Sequence, residues 1–153
     1  MEEPALGRIL GIDFGKKYVG LSVSDPLFIT AQSLCTIERK RPDKLRSTLS
    51  AISDICKEYE ITAFVIGLPK NLDGSENERC EFTKEFAKIL FDKVGLPVFL
   101  WDERLTTVSG DRDLDFLGKK DKKKYSDELA AVLILEGFMN AQKNGVKPEA
   151  FLS

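Results

Sequence analysis

Three carboxylates occur at points where predicted strands end or a predicted helix begins. Asp13 ends an alternating, strand-like run, Glu103 follows an apolar run, and Asp127 opens a helical stretch. Acidic side chains at such junctions can converge on one point, where they repel one another unless cations lie between them. The chain has no histidine, so every ligand would be an oxygen atom, the type that Mg²⁺ and Mn²⁺ prefer. The pattern predicts a metal-dependent phosphoryl-transfer site.

Each acid also has a purely structural explanation. Asp13 could end its strand and accept turn hydrogen bonds, although glycines at 11 and 15 would leave room for a phosphate or an ion. Glu103 could favour the start of the next helix, and Asp127 could do the same in a first helical turn. The three acids together, with a basic run just before the third, favour a functional site.

Basic residues are concentrated in two segments of a chain whose net charge is −2. The segment 119–124 has five lysines and one aspartate, a local charge of +4; the lysines are Lys119, Lys120, Lys122, Lys123 and Lys124. A second cluster lies within residues 39–46. Such patches can hold phosphates on an acidic protein. A solvated loop explains either patch alone equally well.

The loop 67–75 joins a predicted buried strand to a predicted helix. Free amides at that helix start, with Arg79 one turn further along, could bind a phosphate. An ordinary loop with a solvated arginine is an equally good explanation from spacing alone.

Composition limits the class of protein. A chain of 153 residues fits one domain, taken here as residues 1–153, and 42% hydrophobic with 31% charged residues is typical of a soluble globular protein. No apolar stretch is long enough for a membrane span, and the first residues lack a signal region, so we expect a cytoplasmic protein. The three cysteines are widely spaced and are expected to be reduced. Without histidine, Ser-His and Cys-His nucleophile pairs are excluded.

Hydrophobic periodicity predicts an α/β fold. Predicted strands cover residues 8–14, 18–24, 32–38, 63–67 and 97–101. Predicted helices begin near Pro42 and with a capping box at Ser75, and two more cover about 106–117 and 126–143. The first three strands are antiparallel because their connections are too short for a crossover. This order implies a mixed five-stranded sheet flanked by helices.

Several motifs occur in order along nearly the whole chain. They are Leu10-Gly11-Ile12-Asp13, Val23-Ser24-Asp25, Val65-Ile66-Gly67-Leu68-Pro69, Asp73-Gly74-Ser75-Glu76, Asp102-Glu103-Arg104-Leu105-Thr106-Thr107, and the stretch from Lys119-Lys120 through Ser126–Leu135. Together they resemble the YqgF (RuvX-like) family of Holliday junction resolvases, also described as pre-16S ribosomal RNA nucleases. The resemblance implies a ribonuclease H-like fold whose antiparallel strands come first, in agreement with the predicted sheet.

The resemblance also implies roles for individual residues. The family's acidic triad corresponds to Asp13, Glu103 and Asp127, and its basic and polar neighbours correspond to Lys17, Arg79, Arg104 and Thr107. Two departures stand out, since Lys16-Lys17-Tyr18-Val19 replaces a Thr-Lys-Arg-like run and a second acid, Glu128, follows Asp127. Either acid of that pair could contact a metal ion. Neither departure removes a triad carboxylate.

The expected function is metal-dependent hydrolysis of nucleic-acid phosphodiesters, and the resemblance implies processing of the 5′ end of pre-16S rRNA. Two Mg²⁺ or Mn²⁺ ions, roughly 4 Å apart, would be held by the triad. Expected partners are structured or precursor RNA, or branched DNA, and the small-subunit precursor. We expect no membrane partner. The protein is expected to be a monomer or a weak homodimer.

Three alternatives remain open. A Holliday junction resolvase would present two sites in a symmetric dimer. An ATP-binding fold of the actin or sugar-kinase type is suggested by Asp13-Phe14-Gly15 with Gly20, but it needs two such domains. A non-catalytic module could bind RNA or a ribosome-assembly factor. No exposed stacking aromatic is expected, because the phenylalanines mostly fall at core positions of predicted elements.

Overall fold

The computed structural model describes residues 7–41, 43–105 and 119–153. Its strands are β1 (Arg8–Phe14), β2 (Tyr18–Ser24), β3 (Ala31–Glu38), β4 (Ile61–Leu68) and β5 (Val98–Asp102). Its helices are α1 (Arg46–Tyr59), α2 (Glu78–Val94) and α3 (Lys119–Lys143), with a 3-10 turn at Glu103–Leu105. All five predicted strands are confirmed to within two residues at each end. Pro42 and the helix predicted at 106–117 lie outside the described residues.

The five strands form one mixed sheet in the order β3-β2-β1-β4-β5. The pairs β1–β2 and β2–β3 are antiparallel, whereas β1–β4 and β4–β5 are parallel. Short turns permit only antiparallel neighbours, and the helices α1 and α2 provide the crossovers that parallel neighbours need. The predicted mixed sheet with three antiparallel strands first is confirmed.

Each face of the sheet is covered by different helices. On one face, Leu10 and Ile12 of β1 pack with residues of α1 and α2 such as Ile52 and Phe86. On the other face, the β4 residue Val65 packs with α3. Because side chains alternate along a strand, Asp13 lies on the opposite face from Ile12 and therefore on the α3 side.

Helix α3 begins seven residues earlier than predicted. The segment 119–124, for which a solvated loop was one explanation, is helical. Lysine is a good helix former and no proline or glycine occurs between 119 and 136, so nothing local ends the helix there. The expectation that Asp127 lies in a first helical turn was therefore wrong, because the residue is the ninth of α3.

Helix α2 begins later than its predicted capping box. The N-cap is Asn77, whose side chain accepts a hydrogen bond from the Cys80 amide at 3.0 Å. Ser75 instead donates to Asp73 within the preceding loop. Two acids in the first turn favour the helix start, and Arg79 is the second residue of the helix. Within the described parts of the chain, no helix is long and apolar enough to cross a bilayer.

Candidate active site

Glycines flank Asp13 on both sides in the sheet. Asp13 is paired with Gly20 of β2. On the other side, Ile12 is paired with Ile66 of β4, so Gly67 is the next residue beside Asp13. Because each neighbouring strand has a glycine beside Asp13, two spaces remain above the sheet next to the Asp13 carboxyl group, one over Gly20 and one over Gly67.

Helix α3 fills the space over Gly20. A Cβ atom on Gly20 would overlap the backbone carbonyl of Asp127. A Cβ atom on Gly11 would lie 3.0 Å from the carbonyl oxygen of Ala131, and the Ser22 hydroxyl donates a 2.7 Å hydrogen bond to that same oxygen. The glycines let the helix lie close against the sheet, which puts the Asp127 backbone directly beside the Asp13 strand.

The side chain of Glu103 fills the space over Gly67. Strand β5 ends at Asp102, which pairs with Leu68, and the 3-10 turn begins at the next residue. A Cβ atom on Gly67 would lie 2.5 Å from Oε1 of Glu103, so this carboxyl group lies over the glycine. There it shares a hydrogen bond with Asp13. The structure therefore brings two of the three predicted acids into direct contact.

Burial controls the protonation of Glu103. Desolvation raises the pKa of Glu103 above its ordinary value, and the charge of Asp102 acts in the same direction. The hydrogen bond with Asp13 and the positive charge of Arg79 lower it, but burial dominates. Two carboxyl groups in contact hold a proton between them unless a cation neutralises both. The pair has the electrostatic character of a cation site.

Asp127 and Glu128 lie above different strands. Asp127 is 8% exposed, with its backbone over Gly20 of β2. The Glu128 carboxylate accepts a 3.0 Å hydrogen bond from Thr36 of β3, and Thr36 is itself the partner of Gly20. Glu128 is thus directed towards a strand two positions from β1. The Asp127 backbone lies over the β2 partner of Asp13, and the question of which of the two neighbouring acids could contact a metal ion stays open.

The contact between Asp13 and Glu103 fits a hard divalent ion. Mg²⁺ in proteins is commonly held by one or two carboxylates, with water and substrate phosphates completing its shell. Among the described residues, no group of three acidic or cysteine side chains is arranged to hold a metal ion together. A ligand role for Asp127 therefore stays a prediction.

The predicted basic and polar residues have different surroundings. Arg79 acts electrostatically on Glu103. Lys17 is exposed in the turn between β1 and β2. Arg104 donates to Asp102 at 2.7 Å and to the Leu72 carbonyl at 3.1 Å, so it holds the loop before α2 to the end of β5. Residues 119–124 form the first turns of α3. Thr107 lies outside the described residues. The phosphate-binding roles of all these residues stay predictions.

Sequence reasoning did not identify Gly20 and Gly67 as residues that shape the site. The available signal was a glycine within an otherwise alternating strand, which often marks a close approach of other backbone or of a ligand. The expectation that no aromatic ring is exposed for stacking is not met at Phe82, which is 42% exposed.

Comparison with known proteins identifies relatives along almost the whole chain. The family model RuvX, described as Holliday junction resolvase, matches residues 7–141. A protein of Agathobacter rectalis is 49% identical over 139 residues, which are 90% of this chain and 97% of the relative. A protein of Desulfitobacterium hafniense is 41% identical over 146 residues, which are 93% of this chain and 99% of the relative. Both bear the name "Putative pre-16S rRNA nuclease".

A solved structure shares the fold. The RuvC protein of Thermus thermophilus, in complex with Holliday junction substrate, matches with a TM-score of 0.55 and 16% sequence identity. The match covers 94% of this chain and 99% of that one. At this identity the likeness concerns the fold alone, and it confirms the predicted ribonuclease H-like architecture.

Proposed function

The chain belongs to the RuvX family, and on that premise we propose that it is a divalent-metal-dependent nuclease that processes the 5′ end of the 16S ribosomal RNA precursor. Family membership predicted from the motifs is confirmed. The proposal treats residues 1–153 as one nuclease domain in which Asp13, Glu103 and Asp127 are catalytic.

The contact between the carboxyl groups of Asp13 and the desolvated Glu103 carries the proposal. Placing two acids in hydrogen-bond contact costs free energy in their ionised state, and a cation removes that cost. One or two Mg²⁺ or Mn²⁺ ions bound there would supply an activated water and neutralise charge on the leaving oxygen. Asp127, whose backbone lies over Gly20, would complete the oxygen ligands.

Basic side chains around the Asp13–Glu103 pair would position the substrate strand. The positive charge of Arg79 lowers the pKa of Glu103, and its guanidinium would bind a phosphate held at the carboxylates. The lysines at the start of α3 lie on the helix that carries Asp127, and they would bind neighbouring phosphates without reading sequence.

RNA is the substrate we favour because of the relatives. Curated relatives that are 41% to 49% identical to the chain are named for pre-16S rRNA. Structured or precursor RNA within a small-subunit precursor is therefore the proposed partner. We further propose that the protein acts in the cytoplasm, as a monomer or a weak homodimer.

A four-way DNA junction is the second candidate substrate. The family model's description and the junction complex of the RuvC neighbour favour it. Symmetric cleavage of a junction needs two sites related by a two-fold axis, whereas cleavage of one RNA strand needs a single site. The chemistry at Asp13 and Glu103 would be the same in both cases.

The substrate is tested by comparing two nucleic acids in one assay. End-labelled single-stranded RNA with ribosomal precursor sequence and a four-way DNA junction are incubated with the protein in Mn²⁺, in Mg²⁺ and in EDTA, and its mass is measured by sedimentation. We expect metal-dependent cleavage of the RNA by a protein that is mainly monomeric. Junction cleavage by a stable dimer would support the second candidate. Absence of any cleavage would favour a non-catalytic binding module.

A further inference from the structure

We propose that a cavity on the opposite face of β1 from Asp13 binds a nucleotide, whose base stacks on Phe82. The cavity has a volume of about 790 Å³ and lies between the β1–β2 turn, the segment before α1, and α2. As a subsite for the substrate, it rests on the nuclease function proposed above. As a binding site for a nucleotide, it can be examined without any cleavage.

The floor of the cavity is aromatic and fixed. Phe14 follows Asp13 in β1, so its side chain is on the other face of the sheet. Its ring stacks on Phe86 of α2, with centroids 4.0 Å apart and planes 7° from parallel. The Arg39 guanidinium lies 4.9 Å from the Phe14 ring centroid. These contacts hold the floor rigid, so it can receive a ligand with little reorganisation.

Phe82 presents a ring to the cavity and to solvent. It lies one turn before Phe86 on α2 and is 42% exposed, and Ile89 on the same wall is 43% exposed. The ammonium group of Lys16 lies 5.1 Å from the Phe82 ring centroid. A nucleobase is flat and apolar on its faces, so stacking on this ring would remove exposed apolar surface from water. Lys16 would remain near enough to contact the attached phosphate.

Charges on the cavity wall match a nucleotide rather than an apolar ligand. Lys16, Arg39 and Arg79 line it, together with the carboxylates of Asp43 and Glu85. Arg39 is only 7% exposed and donates a 3.0 Å hydrogen bond to the Gly15 carbonyl, so its charge is held in place. The cations suit a phosphate, and the carboxylates can accept from the amino and imino groups of a base.

Arg79 links the cavity to the carboxylate pair. It lines the cavity and its charge acts on Glu103 at the same time. As a substrate subsite, the cavity would hold a nucleotide of the strand whose phosphodiester lies at Asp13 and Glu103, on the other face of β1. Because a base can enter only after leaving its helical stack, the inference predicts a preference for an unpaired nucleotide beside the cleaved bond.

The test compares two ligands that differ only in the base. Adenosine 5′-monophosphate and ribose 5-phosphate are titrated by calorimetry into the wild type, Phe82→Ala and Phe82→Trp. Leu27→Ala is the control, since Leu27 is 68% exposed and does not line the cavity. We expect the wild type and the control to bind the adenosine compound at least tenfold more tightly than ribose 5-phosphate. Phe82→Ala should weaken only the adenosine compound, by about 5- to 100-fold, and Phe82→Trp should retain its affinity.

Equal affinity of the two ligands for the wild type would overturn the proposal, as would unchanged binding of the adenosine compound by Phe82→Ala.

The role of the cavity as a substrate subsite is tested with RNAs carrying one abasic nucleotide at each position near the cleaved bond. One position should slow cleavage by the wild type but not by Phe82→Ala, and the absence of such a position would overturn the subsite role. A wild type that cleaves no RNA would refute the proposed function, whereas the two titrations still decide whether the cavity binds a nucleotide.

Discussion

The backbone carbonyl of Asp127 occupies the space that a side chain on residue 20 would fill. Gly20 is also the β2 partner of Asp13. One glycine therefore determines how closely α3 approaches the strand that carries the first acid, and so how near Asp127 comes to Asp13.

Substitution of Gly20 by alanine should therefore damage both stability and activity. The added methyl group overlaps the Asp127 backbone, which cannot move without lifting α3 from the sheet. We expect a loss of about 1–3 kcal/mol in the free energy of unfolding, measured in urea, together with loss of cleavage. The control is Gly145→Ala, where φ is +89° and nothing lies within 4 Å of the new methyl group. It should lose about 1–2 kcal/mol from backbone strain alone and keep full activity. Wild-type activity and stability in Gly20→Ala would contradict the description of this contact.

The raised pKa of Glu103 predicts how stability depends on pH in the absence of divalent ions. Between the ordinary carboxyl pKa and the raised one, the folded protein keeps a proton that the unfolded chain has released. Stability therefore falls as pH rises through that window. The Glu103→Gln variant cannot titrate at this position and should lack this part of the fall in stability. Its free energy of unfolding relative to that of the wild type should therefore increase from acid to neutral pH.

Thermal unfolding in EDTA between pH 4 and pH 8 measures this difference, with Glu58→Gln on the exposed side of α1 as the control. Addition of Mn²⁺ should raise the melting temperature of the wild type and of the control, but not that of Glu103→Gln. Parallel pH profiles for all three proteins would show that burial does not govern this carboxyl group.

Asn77 should contribute to stability in two separable ways. Its side-chain oxygen caps α2 through the Cys80 amide, and its side-chain amide donates to the Pro69 carbonyl and to Asn71. Asn77→Ala loses all of these and should cost about 1–2 kcal/mol of unfolding free energy. Asn77→Asp keeps the cap and should cost less, as measured by urea denaturation. Equal losses for the two variants would mean that the cap contributes nothing.

The lysines at the start of α3 should control the salt dependence of RNA binding. A variant with Lys119, Lys120, Lys122 and Lys123 changed to glutamine is compared with one in which Lys57, Lys88, Lys93 and Lys147 are changed, so that net charge falls equally in both. Each lysine that contacts a phosphate of a single strand adds about 0.7 to the slope of log affinity against log salt concentration. The first variant should lower that slope, and the second should leave it unchanged. If the two variants had identical slopes, the overall charge of the protein, and not the lysines of α3, would control the salt dependence of RNA binding.

Much of the fold could be predicted from local pattern. The alternation of residues in β1 and β2, and the short connection between them, determine a hairpin almost without reference to the rest of the chain. The start of α3 was predicted too late because a polar lysine run is compatible with a loop or a solvated helix, and only the structure distinguishes the two.

The candidate site was predictable in its residues but not in its contacts. Asp13 and Glu103 were identified as acids at strand ends, and the structure brings them together. The roles of Gly20 and Gly67 depend on what packs over them, which a glycine in a strand does not reveal. The exposure of Phe82 was not predicted because helical spacing defines a face but not what covers it; here one end of that face borders a cavity.

The most direct test of the account is the rate of Mn²⁺-dependent cleavage of precursor 16S RNA by Asp13→Asn. Asp54→Asn, on the exposed side of α1, is the matched control because it removes the same charge elsewhere. We expect the control to cleave like the wild type and Asp13→Asn to lose activity by about 100-fold or more, because a metal-holding carboxylate is removed. Equal rates for all three proteins would contradict the assignment of Asp13 and Glu103 as the catalytic pair.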